Sequence, residues 1–240
     1  MTTRRGGLVG LIVLDVGGTL GESTAPTVSS RLIELSPLPE ADVQKIIDDV
    51  LLITPLGELP SAEALCRELH IDPARWPVDR VTAPFRIYPD AVSAVARLAR
   101  IAPVVTLSNS PAWHAHHHAT VAEACKPHIA ALYTSYGLCV PAKPDPAGFH
   151  AIATRHNVPT HSTMAVGDRW HIDIVAALAA GIGTVVWITD DPATAPEPNL
   201  VTSGRVQAVP SIADVAALLA SRPCGPHSTN PAVSAGLRTS

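Results

Sequence analysis

Short, largely apolar runs alternate with helical patterns along most of this 240-residue chain. Such runs are typical of strands buried on both faces in a parallel sheet. Alternating strand and helix patterns predict the α/β fold class, as a doubly wound parallel sheet with helices on both faces. The predicted strands are LVGLIVL (8–14), PVVTL (103–107), TMAV (163–166), TVVWI (184–188) and, with a weaker pattern, VQAV (206–209).

The alternation is interrupted between residues 22 and 86. In this segment, PEADVQKIIDDVLLIT has the apolar spacing of an amphipathic helix, and SAEALCRELH predicts a second helix. We therefore expect a core domain of residues 1–21 and 87–222, with a small helical cap domain of residues 22–86 inserted after the first strand. Residues 223–240 are polar and rich in proline, which predicts a disordered tail.

Composition and charge argue against several classes of partner. The net charge of −4 and the pI near 6.2 do not favour nucleic-acid or anionic-membrane binding, which need a basic face. No apolar stretch reaches the ~18 residues of a membrane span. The four cysteines contain no CxxC pair, so we expect reduced thiols and a cytoplasmic location. Cys66 and Cys125 fall on predicted helices and are expected to be small buried residues.

Polar residues follow the predicted strands where ligands bind in open α/β sheets, outside the carboxyl ends of the strands. Asp15 follows the first strand, Ser108 and Asn109 follow the second, and Gly167 and Asp168 follow TMAV. Each residue alone has an ordinary explanation as a turn or helix-cap residue. Their occurrence at several strand ends predicts one shared site.

Four segments, in this order, resemble the motifs of the haloacid dehalogenase (HAD) superfamily of hydrolases, most of which are phosphatases. They are DVGGTL (15–20), LSN (107–109), KPDP (143–146) and GDRWHID (167–173). The resemblance covers nearly the whole chain except the tail, and it includes a helical insertion after the first motif. It implies a HAD-like Rossmannoid core and a hydrolase that uses Mg²⁺ and acts on a small phosphorylated substrate.

The resemblance also implies a role for each matching residue. Asp15 would be the nucleophile that forms an aspartyl-phosphate, and Lys143 would neutralise charge on Asp15 and on the phosphoryl group. The groups that bind the phosphoryl oxygens would be the Ser108 hydroxyl, the Lys143 ammonium and the backbone N–H groups of Gly18 and Asn109. The Mg²⁺ ligands would be Asp15, the Gly17 carbonyl, Asp168 and, directly or through water, Asp173.

One position departs from the pattern of the family. The residue two after the nucleophile is usually a second aspartate, which protonates the leaving group and then activates water. Its backbone carbonyl, separately, binds the metal. Here this residue is Gly17. Glycine keeps the carbonyl but removes general acid–base catalysis, which contributes about 10²–10⁴-fold.

Three functions are compatible with this departure. A phosphatase would manage with an activated leaving group or with a substitute acid, for which Glu22 is a candidate. A non-catalytic or regulatory relative would bind a phosphorylated ligand. A metal-independent 2-haloacid dehalogenase needs no second aspartate, but that branch generally lacks the GD of the fourth motif. The presence of Asp168 and Asp173 favours the phosphatase.

Two further segments, one rich in histidine and one that contains a tryptophan, each allow a functional and an ordinary explanation. His114 and His118 have the i,i+4 spacing of helical metal ligands, but no carboxylate completes the set, so solvated histidines are expected. Arg169, Trp170 and His171 lie within the fourth motif. They are expected either to contact the ligand or cap, or to form a surface loop in which the tryptophan covers the sheet edge.

Overall fold

Six parallel strands form the central sheet, which confirms the doubly wound α/β prediction. The computed structural model describes residues 9–53, 62–77, 84–110 and 115–220. In chain order the strands are β1 (Leu11–Leu14), β2 (Gly21–Ser23), β3 (Phe85–Ile87), β4 (Val104–Ser108), β5 (Ile129–Thr134), β6 (Thr163–Gly167), β7 (Thr184–Ile188) and β8 (Val206–Val209). The order across the sheet is β5-β4-β1-β6-β7-β8, while β2 and β3 pair separately as an antiparallel ribbon.

Helices cover both faces of this sheet. The α-helices are α1 (Val28–Leu35), α2 (Glu40–Ile53), α3 (Ala62–Glu68), α4 (Ala91–Leu98), α5 (Ala115–Cys125), α6 (Ala147–Arg155), α7 (Val175–Ala179), α8 (Pro198–Thr202) and α9 (Ile212–Ala220). One hydrophobic cluster joins α4, α5 and α9 to one face of the sheet, and a second cluster joins α6, α7 and α8 to the other. Strands buried on both faces explain the continuous apolar runs in the sequence.

The position of β1 in the sheet determines where the polar strand ends meet. β1 lies between β4 and β6, and Leu14 is in register with Thr106 of β4 and with Val166 of β6. The chain moves to one side of β1 to form β4 and β5, then crosses to its other side to form β6. This is the switch in strand order at which open α/β sheets form their binding crevices.

Three of the strands were not predicted from the sequence. The edge strand β5 is only half-buried, so its sequence IAALYT lies outside the fully buried class that the apolar runs identify. The strands β2 and β3 have three residues each, which is too short for a periodic pattern. Their pairing closes the base of the segment that separates β1 from β4.

The helical segment between β2 and β3 has its own hydrophobic cluster, which includes Leu32, Ile47 and Leu65. The two predicted helices of the segment are confirmed as α2 and α3. The sequence prediction missed α1, whose first turn is capped by Thr27 Oγ1, an acceptor for Ser30 N–H at 3.0 Å. The domain boundaries stay a prediction, and the proposed tail lies outside the described residues.

Other expectations concern cysteines and membrane spans. Cys66 and Cys125 are fully buried free thiols, as expected, and burial raises the pKa of each. Among the described helices, none has the length and apolar character needed to cross a membrane.

Candidate active site

A buried lysine joins two of the predicted site carboxylates. Lys143 Nζ donates hydrogen bonds to Asp15 Oδ1 at 2.6 Å, to Asp173 Oδ1 at 2.5 Å and to the Leu107 carbonyl at 2.9 Å. An ammonium group has three hydrogens to donate, so these bonds use all of them. The three charged side chains are at most 4% exposed. The sequence motifs, which lie up to 158 residues apart (173 minus 15), therefore meet in one buried charged cluster.

Asn109 holds the backbone of the lysine loop. Its side-chain amide donates to the Lys143 carbonyl at 2.8 Å, and its Oδ1 accepts from the Lys143 N–H at 2.9 Å. The Ser135 hydroxyl also donates to Asn109 Oδ1, at 3.0 Å. These bonds connect the ends of β4 and β5 to the loop before α6. The predicted contact of the Asn109 N–H with a phosphoryl group stays a prediction, but the side chain has a positioning role that the sequence did not indicate.

Burial and neighbouring charges determine the protonation of the cluster. Burial alone would lower the pKa of Lys143, but the charges of Asp15 and Asp173 outweigh it and raise that pKa. Burial raises the pKa of Asp15 to about 6, against the opposing effect of Lys143, and the charge of Asp173 adds to the rise. Burial raises the pKa of Asp168 to about 7, with further contributions from Asp15 and Asp173. Two carboxylates therefore become fully ionised only near neutral pH.

The carboxylates of Asp15, Asp168 and Asp173 fit a divalent cation. Each presents an oxygen atom, and these three atoms lie within 4.8 Å of one another. Asp15 Oδ2 and Asp168 Oδ1 are buried and have no hydrogen-bond partner among the described residues, a costly arrangement that a cation with oxygen ligands would relieve.

Asp173 differs from the other two carboxylates, because both of its oxygens already accept hydrogen bonds. Oδ1 accepts from Lys143 Nζ, and Oδ2 accepts from the Arg169 N–H at 3.0 Å. Of the two arrangements expected for this residue, coordination through water fits these bonds better than direct coordination.

Two glycines allow the carboxylates to lie against the backbone. A Cβ atom on Gly18 would overlap the Asp168 carboxylate, and Gly18 also has a φ of +75°, which favours glycine. A Cβ atom on Gly167 would overlap the Asp173 side chain. Both glycines are therefore required by the close approach of acidic side chains.

The predicted phosphoryl-binding groups have different availability. Ser108 is buried at the end of β4, and its Oγ accepts from the Ser110 N–H at 3.0 Å, which leaves the hydroxyl hydrogen to be donated. The Gly18 N–H donates to the Gly21 carbonyl at 2.8 Å, so a phosphoryl oxygen would have to share or replace that acceptor. The role of Gly18 in binding stays a prediction.

Two tryptophans pack against each other beside the fourth motif. Trp170 is 5% exposed and packs edge-to-face on Trp187, with ring centroids 5.0 Å apart. The expectation of a surface loop is therefore wrong for Trp170, which belongs to the core, and the expected contact of this segment with a ligand or the cap stays a prediction. Trp187 was missed as a site residue. Its indole N–H donates to the Asp168 carbonyl at 2.8 Å, and the register of Trp187 beside Gly167 is the signal that could have identified it.

In α5, the expectation of a solvated His118 is wrong, because its Nε2 atom is buried. His117 is buried, with its ring centroid 4.8 Å from that of Phe85 in β3. Burial lowers the pKa of His118 to about 4, and the neighbouring His117 adds to this effect. His114 lies outside the described residues. His117 therefore packs against the ribbon at the base of the helical segment.

A family model described as a haloacid dehalogenase-like hydrolase matches residues 9–181 of the chain, from just before β1 to just after α7. The match covers more than half of the 240 residues. The chain belongs to the haloacid dehalogenase-like hydrolases. A comparison of this HAD-like hydrolase with curated proteins finds no match.

Solved structures with similar folds include both dehalogenases and phosphatases. The L-2-haloacid dehalogenase from Xanthobacter autotrophicus is 20% identical, with 90% of this chain and 100% of that chain covered and a TM-score of 0.56. A predicted phosphoglycolate phosphatase from Haemophilus somnus 129PT is 18% identical, with 88% and 98% covered and a TM-score of 0.55. The putative HAD-hydrolase YfnB from Bacillus subtilis, bound to magnesium, is 15% identical, with the same coverage and a TM-score of 0.53. At these identities the likeness shows the fold of the HAD-like hydrolase.

Proposed function

We propose that the protein is a Mg²⁺-dependent phosphatase that hydrolyses a small phosphorylated metabolite through an aspartyl-phosphate at Asp15. The observation that carries this proposal is the pair of buried, unpartnered oxygens on Asp15 and Asp168, next to an ammonium group shared by Asp15 and Asp173. A metal-independent dehalogenase would have no need of the second unpartnered carboxylate, that of Asp168.

The residues of the cluster can perform the two steps of the reaction. A carboxylate oxygen of Asp15 attacks phosphorus as the bond to the leaving oxygen breaks, and water then hydrolyses the aspartyl-phosphate. Lys143 reduces the repulsion between the Asp15 carboxylate and the phosphoryl group, and Ser108 donates a hydrogen bond to a phosphoryl oxygen. When bound by Asp15, Asp168, the Gly17 carbonyl and, through water, Asp173, Mg²⁺ would shield negative charge on the phosphoryl group.

Asp15 must be anionic to attack, so its protonation limits the reaction at low pH. In the metal-free protein, burial raises the pKa of Asp15 to about 6, so the proportion of anionic Asp15 falls as the pH drops through that value. Lys143 keeps its proton over this range and continues to supply positive charge.

The helical segment would act as a cap. Its closure over Asp15 would exclude water and select the leaving group, and the side chains of the cap would determine which metabolite is accepted. The predicted cytoplasmic location belongs to the same proposal, and the buried free thiols of Cys66 and Cys125 are compatible with it.

The test is a panel of phosphomonoesters and acyl phosphates, assayed with and without Mg²⁺ for the native sequence and for Asp15→Asn. We expect Mg²⁺-dependent release of phosphate that falls to background in Asp15→Asn. Asp90→Asn is the matched control, because Asp90 is exposed and its side chain makes no capping hydrogen bond. It should retain full activity.

Three other results would contradict the proposal. Activity that survives Asp15→Asn would show that Asp15 is not the nucleophile. Binding of Mg²⁺ without turnover of any compound in the panel would indicate a non-catalytic binder of phosphorylated ligands. Release of halide from 2-haloacids without metal would indicate a dehalogenase.

A further inference from the structure

Gly17 differs from the other glycines around the site because it has space for a side chain. A Cβ atom built on Gly17 has no other heavy atom of the described structure within 4 Å, apart from its chain neighbours. A Cβ atom on Gly18 would overlap the side chain of Asp168, and one on Gly21 would overlap the carbonyl of Arg86. A Cβ atom on Gly167 would overlap the side chain of Asp173. Packing therefore requires glycine at these three positions but not at position 17.

The backbone of Gly17 also imposes no need for glycine. The described glycines with positive φ are Gly18, Gly181 and Gly204, and Gly17 is not among them. An L-residue such as aspartate can therefore occupy position 17 without backbone strain. The glycine leaves a space two residues from the nucleophile that a ligand can enter.

Three acidic groups around the site are already engaged, and the fourth, Asp168, is assigned above to the metal. Both oxygens of Asp173 accept hydrogen bonds, and Asp15 is held by Lys143. Glu22, the candidate substitute acid, forms an ion pair with Arg86 across the β2–β3 ribbon. None of the described acidic side chains reaches within 4 Å of the place where a side chain at position 17 would begin.

On the basis of the proposed phosphatase function, we propose that the substrate has a leaving group of low basicity, such as the carboxylate of an acyl phosphate, and that this group occupies the space beside Gly17. As Asp15 bonds to phosphorus, the bond from phosphorus to the leaving oxygen breaks. That oxygen takes the electron pair and departs as an anion without a proton. Water then attacks the aspartyl-phosphate, and its two hydrogens leave with the phosphate as H₂PO₄⁻ while the Asp15 carboxylate is restored.

The absence of a proton donor makes a quantitative prediction about leaving groups. A positioned acid contributes about 10²–10⁴-fold where the leaving oxygen needs a proton, and much less where it is a stable anion. The native protein should therefore discriminate strongly between leaving groups. An aspartate at position 17 should reduce this discrimination by accelerating the poor substrates.

The experiment measures kcat/KM, with Mg²⁺ present, for acetyl phosphate, a series of aryl phosphates of increasing phenol pKa, and an alkyl phosphate. For the native protein we expect kcat/KM to fall steeply as the basicity of the leaving group rises. For the alkyl phosphate, kcat/KM should be about 10²–10⁴-fold lower than for an enzyme that has a general acid. Gly17→Asp should raise the ratio of the alkyl phosphate rate to the acetyl phosphate rate by a similar factor. Gly17→Asn, which has nearly the same size but no acid, should give no such gain.

The outcomes separate this proposal from the phosphatase function itself. Equal rates on acetyl and alkyl phosphates, lost in Asp15→Asn, would overturn the leaving-group proposal and support the phosphatase. Absence of turnover throughout the series would overturn both. An equal gain in Gly17→Asp and Gly17→Asn would also overturn the proposal, because bulk and not a proton would then be limiting. The comparison of leaving groups in the native protein tests the proposal even if a variant at position 17 is unstable.

Discussion

Two regions of the molecule are built in opposite ways: the charged floor of the site, formed by Asp15, Lys143, Asp168 and Asp173, and the base of the helical cap, where β2 pairs with β3. In the floor, Lys143 and its two carboxylate partners are almost completely buried. Across the base of the cap, Glu22 and Arg86 pair with side chains that are 43% and 71% exposed. Buried pairs are held rigidly and are costly to break, whereas exposed pairs contribute little. This is the distribution expected where the chemistry needs fixed groups and substrate access needs a cap that can open.

One contact between core and cap is intermediate between these two classes. Tyr136, in the turn after β5, packs on the hydrophobic cluster of the cap, and its hydroxyl donates to Asp48 of α2 at 2.9 Å. Burial raises the pKa of Tyr136, with added effects from the charge and hydrogen bond of Asp48, so the phenol remains a donor. The variants below test whether the contrast between floor and cap holds.

Lys143→Met should have the largest effect, because it leaves two buried carboxylates without their cation. We expect the free energy of unfolding to fall by about 3–5 kcal/mol, and phosphate release to fall to background. Urea denaturation and the phosphatase assay measure the two effects. Lys45→Met is the control, since Lys45 is 75% exposed and pairs with Asp49 on the surface of α2 at 2.7 Å. Equal losses in both variants would remove the distinction between floor and cap.

The floor should make stability depend on pH and on Mg²⁺, whereas His118, whose pKa is lowered to about 4, has the opposite dependence on pH alone. Because the pKa values of Asp15 and Asp168 are raised to about 6 and about 7, the folded protein binds protons that the unfolded chain has released. Without metal, these groups should lower the free energy of unfolding as the pH rises from about 4 to 7. Mg²⁺ should then stabilise the protein at pH 8, by about 2.7 kcal/mol at a hundred times its Kd, and much less at pH 5.

Thermal melting at both pH values, with and without Mg²⁺, measures this effect. Asp168→Asn should lose the stabilisation by Mg²⁺ at pH 8, while Asp90→Asn should keep it. Stabilisation by Mg²⁺ that is equal at pH 5 and pH 8 would show that the ion does not bind at the carboxylates of the floor.

Tyr136→Phe should have a smaller effect that is confined to the cap. Loss of the hydrogen bond to Asp48 should cost about 1 kcal/mol and make the cap more sensitive to limited proteolysis, with kcat changed only a few-fold. Tyr133→Phe is the matched control, because its hydroxyl pairs at 3.1 Å with His156 within the core. If Tyr133→Phe increased cleavage in the cap as much, the Tyr136 hydroxyl would have no special role there.

Glu22→Gln should have the smallest effect. The exposed pair with Arg86 should contribute no resolvable change in Tm, and kcat should be unchanged. Glu34→Gln, which breaks the exposed pair with Arg31 at 2.5 Å, provides the reference for such a substitution. A large loss of kcat in Glu22→Gln alone would identify Glu22 as the missing acid. It would contradict the assignment of Glu22 to a surface ion pair with Arg86.

The β-sheet and most of the cap could be predicted because their signals are local. Each buried strand is a continuous apolar run, and α2 has its own periodic apolar face. The edge strand β5 and the ribbon of β2 and β3 were missed because half-buried or three-residue strands have no such pattern. The burial of Trp170 was missed because it depends on Trp187, seventeen residues later (187 minus 170) and in another strand.

The sequence by itself determined the fold class, the family resemblance, the residues at the strand ends and the absence of an acid at position 17. These properties follow from short segments of chain, in which hydrophobic runs and motif residues are adjacent. Only the tertiary structure decided that Asp15 Oδ2 and Asp168 Oδ1 are unpartnered, and that Gly17 faces open space while Gly18 is closed by Asp168. The reason is physical: whether a group is free or engaged depends on the approach of atoms from β4, β6 and their loops, which no local pattern records.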